Sequence, residues 1–173
     1  MVSPSLYIAR SACVSMALAA IETFPKECYG LCVGSRNVPL SIDACVPYQL
    51  ANRKRWEVTA SPKSSKRLEA AMEKGRYEVK CQFHSHFHPS APRVQMGKFY
   101  IFPSEYDMRE AGQGELEIVV EIKKAYRGSS LRKLGKRVFI AMGKHCLLIG
   151  AFTYANECEG RVVYKEINIR MTR

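Results

Sequence analysis

The sequence has no long apolar run, and no stretch approaches the roughly 18–20 residues that a membrane-spanning helix needs. It also has no internal repeat and no low-complexity segment, so nothing divides the chain into repeated units. Its 173 residues, 47% of them hydrophobic, are enough for one domain with a sizeable core. We therefore predict a single domain over residues 1–173 that does not act on membranes.

The signals of a secreted protein are also weak. The seven cysteines are odd in number, scattered and without CxxC spacing, whereas a secreted disulfide framework usually has even, clustered cysteines. The apolar stretch after Arg10 loosely resembles a signal peptide but is short, and Cys13, Ala17 and Ala20 recur at helical spacing. We expect an amphipathic core helix there, and reduced, mostly buried thiols in a cytoplasmic protein.

Acidic residues are scarce. Against 16 Asp and Glu stand 27 Lys and Arg, which gives a formal net charge of +11 and favours an acidic partner or nucleic acid. Basic residues concentrate at 53–55, 63–67 and 123–137, and the glycines of the last segment predict a basic loop at about 123–137. A site for single-stranded nucleic acid usually has aromatic residues between its basic ones, and Tyr126 is the only aromatic residue in this segment. We therefore favour a solvated basic face over a nucleic-acid site.

The hydrophobic pattern alternates between strand and helix periods. Helices are predicted at about 11–23, 65–74 and 104–111. Strands are predicted at about 6–9, 29–35, 40–48, 77–84, 115–123, 137–143, 146–154 and 161–169. The predicted fold class is therefore α/β, with a central mixed β-sheet flanked by about three helices.

Histidine is rare, yet three of the four histidines lie within the segment 83–88, FHSHFH. Residues i and i+2 of a strand point to the same side, so His84 and His86 would present two imidazoles together, as a zinc site requires. Such a pair also occurs by chance on exposed strand ends and is weak evidence alone. His86 with His88 is an alternative pair, but the position directly after the predicted strand favours His84 and His86.

Two further segments supply acidic side chains. Ser104 is followed three residues later by Asp107, which is typical of a capping box that starts a helix. The same carboxylate suits the third ligand of a zinc site that keeps one position open. Glu27, in PKECYG, lies at a predicted helix–strand junction. It is either an exposed surface glutamate or a base that takes a proton from water and passes it to a leaving amine.

In this order, PxExxG, HSH and SxxD resemble the JAMM (MPN+) metalloprotease family, in its stand-alone prokaryotic form. The resemblance in element order covers nearly the whole chain and implies a single MPN domain of the JAB type, with a cytidine-deaminase-like fold. It implies one Zn²⁺ per chain bound by His84, His86 and Asp107, with Glu27 as general acid/base and Ser104 as donor to the oxyanion. The implied activity is a zinc-dependent isopeptidase that cuts after the C-terminal tail of ubiquitin or a ubiquitin-like modifier.

The chain departs from the family pattern after the second histidine. The segment between His86 and Ser104 is longer than the family usually has, and Phe87 stands where the family has a proline. We expect an inserted loop at about 87–103, either a lid or a substrate grip. Two other functions remain open: a non-catalytic MPN scaffold that binds partners, and a RadC-like nucleic-acid-associated protein. The chain could also form a homodimer.

Overall fold

The computed structural model describes residues 4–48, 52–53, 58–59, 62–87, 101–156 and 162–173. The strands are β1 (Ser5–Ala9), β2 (Tyr29–Ser35), β3 (Ser41–Ile42), β4 (Ala44–Pro47), β5 (Asn52–Arg53), β6 (Val58–Thr59), β7 (Tyr77–His86), β8 (Leu116–Leu134), β9 (Arg137–Asn156) and β10 (Val162–Thr172). The helices are α1 (Arg10–Thr23), α2 (Pro62–Lys74) and α3 (Glu105–Glu110). None of the helices in these ranges has the length and apolar character to cross a bilayer.

Eight strands form one mixed sheet whose two ends nearly meet. The strand order is β3-β1-β10-β9-β8-β7-β2-β4, and β5 and β6 form a separate pair. The two outer strands, β3 and β4, are separated along the chain by Asp43 alone. The backbone N–H of Asp43 donates to the carbonyl oxygen of Val33 in β2, at 2.9 Å. The sheet is therefore curled into a nearly closed barrel.

Helix α1 lies on the concave side of this sheet. It contacts β1, β4, β8 and β9, which only a helix inside the curl can do. Its buried residues are small or sulfur-containing: Ala12, Cys13, Met16, Ala17, Ala19 and Ala20. They share one core with inward-facing strand residues such as Phe83, Ile118 and Leu147. Small side chains let the helix approach the strands closely.

The predicted architecture, an α/β domain with a central sheet flanked by about three helices, is wrong. The chain is mostly β: the sheet curls around α1, α2 packs outside it through Met72 on Leu31, and α3 has only six residues. The segment 40–48, predicted as one strand, divides at Asp43 into two strands that lie at opposite ends of the sheet. That division closes the sheet, and hydrophobic periodicity does not reveal it.

The predicted basic loop at about 123–137 is also wrong. β8 and β9 form one long antiparallel hairpin that pairs as far as Leu134 with Arg137. Gly135, with φ at 61°, makes the turn, whereas Gly128, with φ at 147°, lies beside a register shift within the ladder. The apolar residues of this hairpin pack against the core: Leu131, Val138 and Ile140. The glycine content suggested a loop, but the backbone pairing of residues 128–134 with 137–143 makes this segment a strand pair.

Gly30 of β2 leaves no space for a side chain. A Cβ there would overlap Cε1 of Phe83 and lie 2.6 Å from the carbonyl oxygen of Val46. We expect Gly30→Ala to lower the free energy of unfolding by about 1–3 kcal/mol, as overpacking does, in urea denaturation. Gly112→Ala is the control, because its nearest neighbour is the Glu115 carboxylate at 3.3 Å. Equal stability of the two variants would contradict this expectation.

Candidate metal centre

The end of β7 presents two imidazoles on the outer face of the sheet. Phe83 points into the core around α1, so alternation turns His84 and His86 to the opposite side. The strand is fixed on both edges, because β2 and β8 both pair with it here. The two Nε2 atoms are 2.8 Å apart, and the rings are only 6% and 7% exposed. The sequence prediction that these two histidines share a face is met.

Helix α3 brings Asp107 to the same point. Its Oδ2 lies 3.4 Å from Nε2 of His84 and 3.3 Å from Nε2 of His86. These three side chains form a group that could hold a metal ion, since their ligand atoms all lie within 4.8 Å of one another. Among the residues that the structure describes, no other set of His, Cys, Asp and Glu side chains meets this condition.

Ser104 and Asp107 also form the capping box. The N–H of Asp107 donates to Oγ of Ser104 at 3.2 Å, and the N–H of Ser104 donates to Oδ2 of Asp107 at 2.6 Å. The capping-box interpretation is therefore confirmed, and the oxygen that caps α3 is also the oxygen that faces the imidazoles. The Ser104 hydroxyl accepts in this box, so its own proton is not used there, and Ser104 is exposed.

The charges of the site favour a cation where the three side chains meet. Burial acts to lower the pKa of His84, but hydrogen bonds with Asp107 and Glu117 outweigh it and raise that pKa to about 10. Burial acts to raise the pKa of Asp107, but hydrogen bonds with His84 and His86 hold it well below its usual range. Asp107 is therefore a carboxylate at neutral pH. A metal ion that binds here takes the place of the imidazole proton.

Glu117 of β8 contacts His84 from the side away from Asp107. Its Oε1 lies 3.0 Å from Nδ1 of His84, and its Oε2 accepts a hydrogen bond from the hydroxyl of Tyr154. Sequence reasoning missed this residue. The available signal was the segment LEIVVEI, in which Glu117 interrupts an otherwise apolar strand. A charged side chain within such a strand usually needs a polar partner.

Glu27 lies alongside the end of β7. The N–H of Ser85 donates to the carbonyl oxygen of Cys28 at 3.0 Å, and the N–H of Cys28 donates to Oγ of Ser85 at 2.8 Å. The first bond extends the contact between β2 and β7 by one residue beyond the pair Tyr29 and His84, and Glu27 is the next residue along the chain. Glu27 is 9% exposed, so its interpretation as an exposed surface glutamate is wrong.

Phe87 fixes the turn that precedes Glu27. Its ring packs edge-on against Phe24, with centroids 4.6 Å apart, and the ammonium of Lys124 lies 4.9 Å from the centre of the Phe24 ring. Phe87 therefore joins the turn before Glu27 to the histidine strand. Residues 88–100 lie outside the described part of the chain. They include His88 and most of the expected insertion at about 87–103.

No protein-family model matches the chain, and no curated protein matches it. Among solved structures, it is similar to the protein DSY2949 from Desulfitobacterium hafniense, determined in solution. The two share 15% identity and a TM-score of 0.64 over 96% of this chain and 92% of that chain. At this identity the likeness shows the fold alone, which is the curled and mostly β architecture. The chemistry of the site has to supply the function.

Proposed function

We propose that this protein is a zinc-dependent isopeptidase of the JAMM type that hydrolyses the bond after the C-terminal tail of ubiquitin or a ubiquitin-like modifier. The observation that carries the proposal is the convergence of His84, His86 and Asp107 on one point. Glu27 is buried and precedes Cys28, which is hydrogen-bonded to Ser85 between the two histidines, and it would supply the base that such a reaction needs. The resemblance of the segments PxExxG, HSH and SxxD to that family supports the same assignment.

The three side chains fit Zn²⁺. Two imidazole nitrogens and one carboxylate oxygen are the donor set of catalytic zinc sites that keep a fourth position open. Ligand distances of about 2.0–2.2 Å in a tetrahedron put neighbouring donor atoms about 3.3 Å apart. The two imidazole–carboxylate distances are 3.4 and 3.3 Å. The 2.8 Å between the imidazoles requires the rings to part by only about half an ångström.

The side chains around this point divide the work of hydrolysis. Bound zinc would supply a Lewis acid that acidifies water and polarises the scissile carbonyl. Glu27 would accept the proton released by the attacking water and deliver it to the leaving amine. The hydroxyl of Ser104 would donate a hydrogen bond to the oxyanion that develops on the carbonyl. Ser104 is exposed, whereas the two histidines are buried and Asp107 is half-buried, so the substrate would approach from the α3 side.

The partner would be a conjugate of ubiquitin or a ubiquitin-like protein. The net charge of +11 favours a partner with an acidic surface and speeds its encounter. We assign this activity to the cytoplasm. The six described cysteines are all buried and none of them forms a disulfide, which agrees with a reducing compartment.

Removing the metal tests the proposal directly. The purified protein should contain about one zinc per chain, as a three-ligand catalytic site does. A chelator should abolish cleavage of a ubiquitin-like protein fused to a reporter through its C-terminal glycine, and added Zn²⁺ should restore it. Mg²⁺ should not, because it prefers an octahedron of oxygen ligands.

The identity of the metal is the sharpest point of this experiment. Two histidines and one carboxylate also bind Fe(II) in oxygenases, so elemental analysis has to accompany the cleavage assay. Stoichiometric iron in place of zinc, or cleavage that survives the chelator, would contradict the proposed function.

A further inference from the structure

Two side chains of the sheet form a hydrogen-bonded series that ends on His84. Glu117 pairs with Phe152 in the β8–β9 register, so Tyr154, two residues further along β9, lies on the same face. The Tyr154 hydroxyl donates to Oε2 of Glu117, and Oε1 lies 3.0 Å from Nδ1 of His84. We propose that Glu117 and Tyr154 are positioning residues that fix the tautomer and ring orientation of His84 for metal binding. This inference rests on the metal site of the proposed function but not on its peptidase activity.

The tautomer follows from what each group can donate. A carboxylate only accepts hydrogen bonds, so the contact with Glu117 requires the proton of a neutral His84 to sit on Nδ1. The lone pair then lies on Nε2, the atom that faces Asp107. With the proton on Nε2 instead, the lone pair of Nδ1 would face the carboxylate, and the two would repel. Glu117 therefore selects the form of His84 that can bind a metal ion.

Tyr154 in turn holds Glu117 in place. Tyr154 is 2% exposed. Its carbonyl oxygen accepts from the N–H of Gly114 at 2.8 Å, and its N–H donates to the carbonyl oxygen of Glu115 at 3.3 Å. Burial, followed by the nearby Glu117 carboxylate, raises the pKa of Tyr154 well above its usual range, so the hydroxyl keeps its proton and remains a donor. The strand pair therefore fixes this donor.

The predicted motifs include neither residue, so their role can be tested apart from the resemblance. We would titrate the full-length wild type, Glu117→Gln, Tyr154→Phe and Glu115→Gln with Zn²⁺ in competition with a chromophoric chelator. Loss of a carboxylate partner of a metal-binding histidine weakens metal affinity by about 10- to 100-fold, and we expect this range for Glu117→Gln. Tyr154→Phe should weaken it less, by about threefold, because it removes one hydrogen bond and leaves the carboxylate that contacts His84.

Glu115→Gln is the matched control. Glu115 precedes β8, and its carboxylate accepts from the N–H of Gly112 at 2.7 Å, a bond that glutamine can keep. This variant should bind zinc like the wild type. The visible absorption of bound Co²⁺ should change in Glu117→Gln and not in Glu115→Gln, because only the former releases the ring of His84. In a His84→Asn background, Glu117→Gln should cause no further loss of affinity.

The outcomes separate this inference from the proposed function. If the wild type binds neither Zn²⁺ nor Co²⁺, the metal site and the positioning role are both overturned. If the wild type binds zinc and Glu117→Gln binds it equally well, only the positioning role is overturned. Should Glu117→Gln fail to fold by circular dichroism, Tyr154→Phe decides, because it removes a single hydroxyl. Unchanged affinity and an unchanged Co²⁺ spectrum in Tyr154→Phe would then overturn the role.

Discussion

Glu27→Gln is expected to slow cleavage of a ubiquitin-like fusion by about 100- to 10,000-fold, the usual contribution of a general acid–base. Glutamine keeps the size of the Glu27 side chain, but it cannot accept a proton from water and return it to an amine. The loss should therefore appear in kcat, with KM nearly unchanged. Zinc content and thermal unfolding should match the wild type, because the three metal ligands are untouched.

Glu22 offers a matched control for this experiment. It is an exposed glutamate near the end of α1, close in sequence to Glu27 but outside the site. Glu22→Gln should cleave the fusion at the wild-type rate. Wild-type activity in Glu27→Gln would mean that another group moves the proton, and the proposed mechanism would be wrong. Loss of zinc from Glu27→Gln would instead assign that side chain to metal binding.

Asp107→Asn is expected to weaken zinc binding at least about 100-fold, because each ligand of such a site carries a few kcal/mol of the binding free energy. Asparagine still offers an oxygen to the N–H of Ser104, so the cap of α3 is preserved. Only the charge that faces His84 and His86 is lost. Isothermal titration with Zn²⁺ measures the change, and circular dichroism of the metal-free protein checks that the variant is folded.

Ser104→Ala provides the opposite case in the same turn. It removes the cap acceptor and should cost about 0.5–2 kcal/mol in the free energy of unfolding, while zinc affinity stays at the wild-type value. If the hydroxyl also stabilises the oxyanion, kcat should fall by about 100- to 1,000-fold. The reverse pattern, with zinc lost in Ser104→Ala and retained in Asp107→Asn, would reduce Asp107 to a capping residue.

The site was predictable from sequence to the extent that its geometry is local. His84 and His86 share a face because strand side chains alternate, and Ser104 and Asp107 meet because a helix begins between them. Both relations extend over at most three residues, so a single sequence contains them. Glu117 was missed because its contact with His84 crosses from one strand to the next, and no local pattern pairs those two positions.

The fold was less predictable for the same reason. The segment predicted as a strand at 29–35 agrees with β2, yet the neighbours of each strand depend on contacts distant in sequence. Asp43 divides one apolar segment between the two ends of the sheet, and that single residue turns an open sheet into a nearly closed one. In the hairpin of β8 and β9, the strands extend well beyond their apolar segments, and only the pairing with the partner strand reveals this.

Helix α3 is too short to keep its shape alone, because an isolated helix of six residues lacks the cooperative length that stabilises longer ones. The capping box secures its first turn, and Asp107 directs that turn toward β7. An ion bound by Asp107 and the imidazoles would therefore link the helix to the barrel. Occupancy of the centre and order in the neighbouring backbone would rise and fall together, since a ligand that binds only the folded form stabilises it.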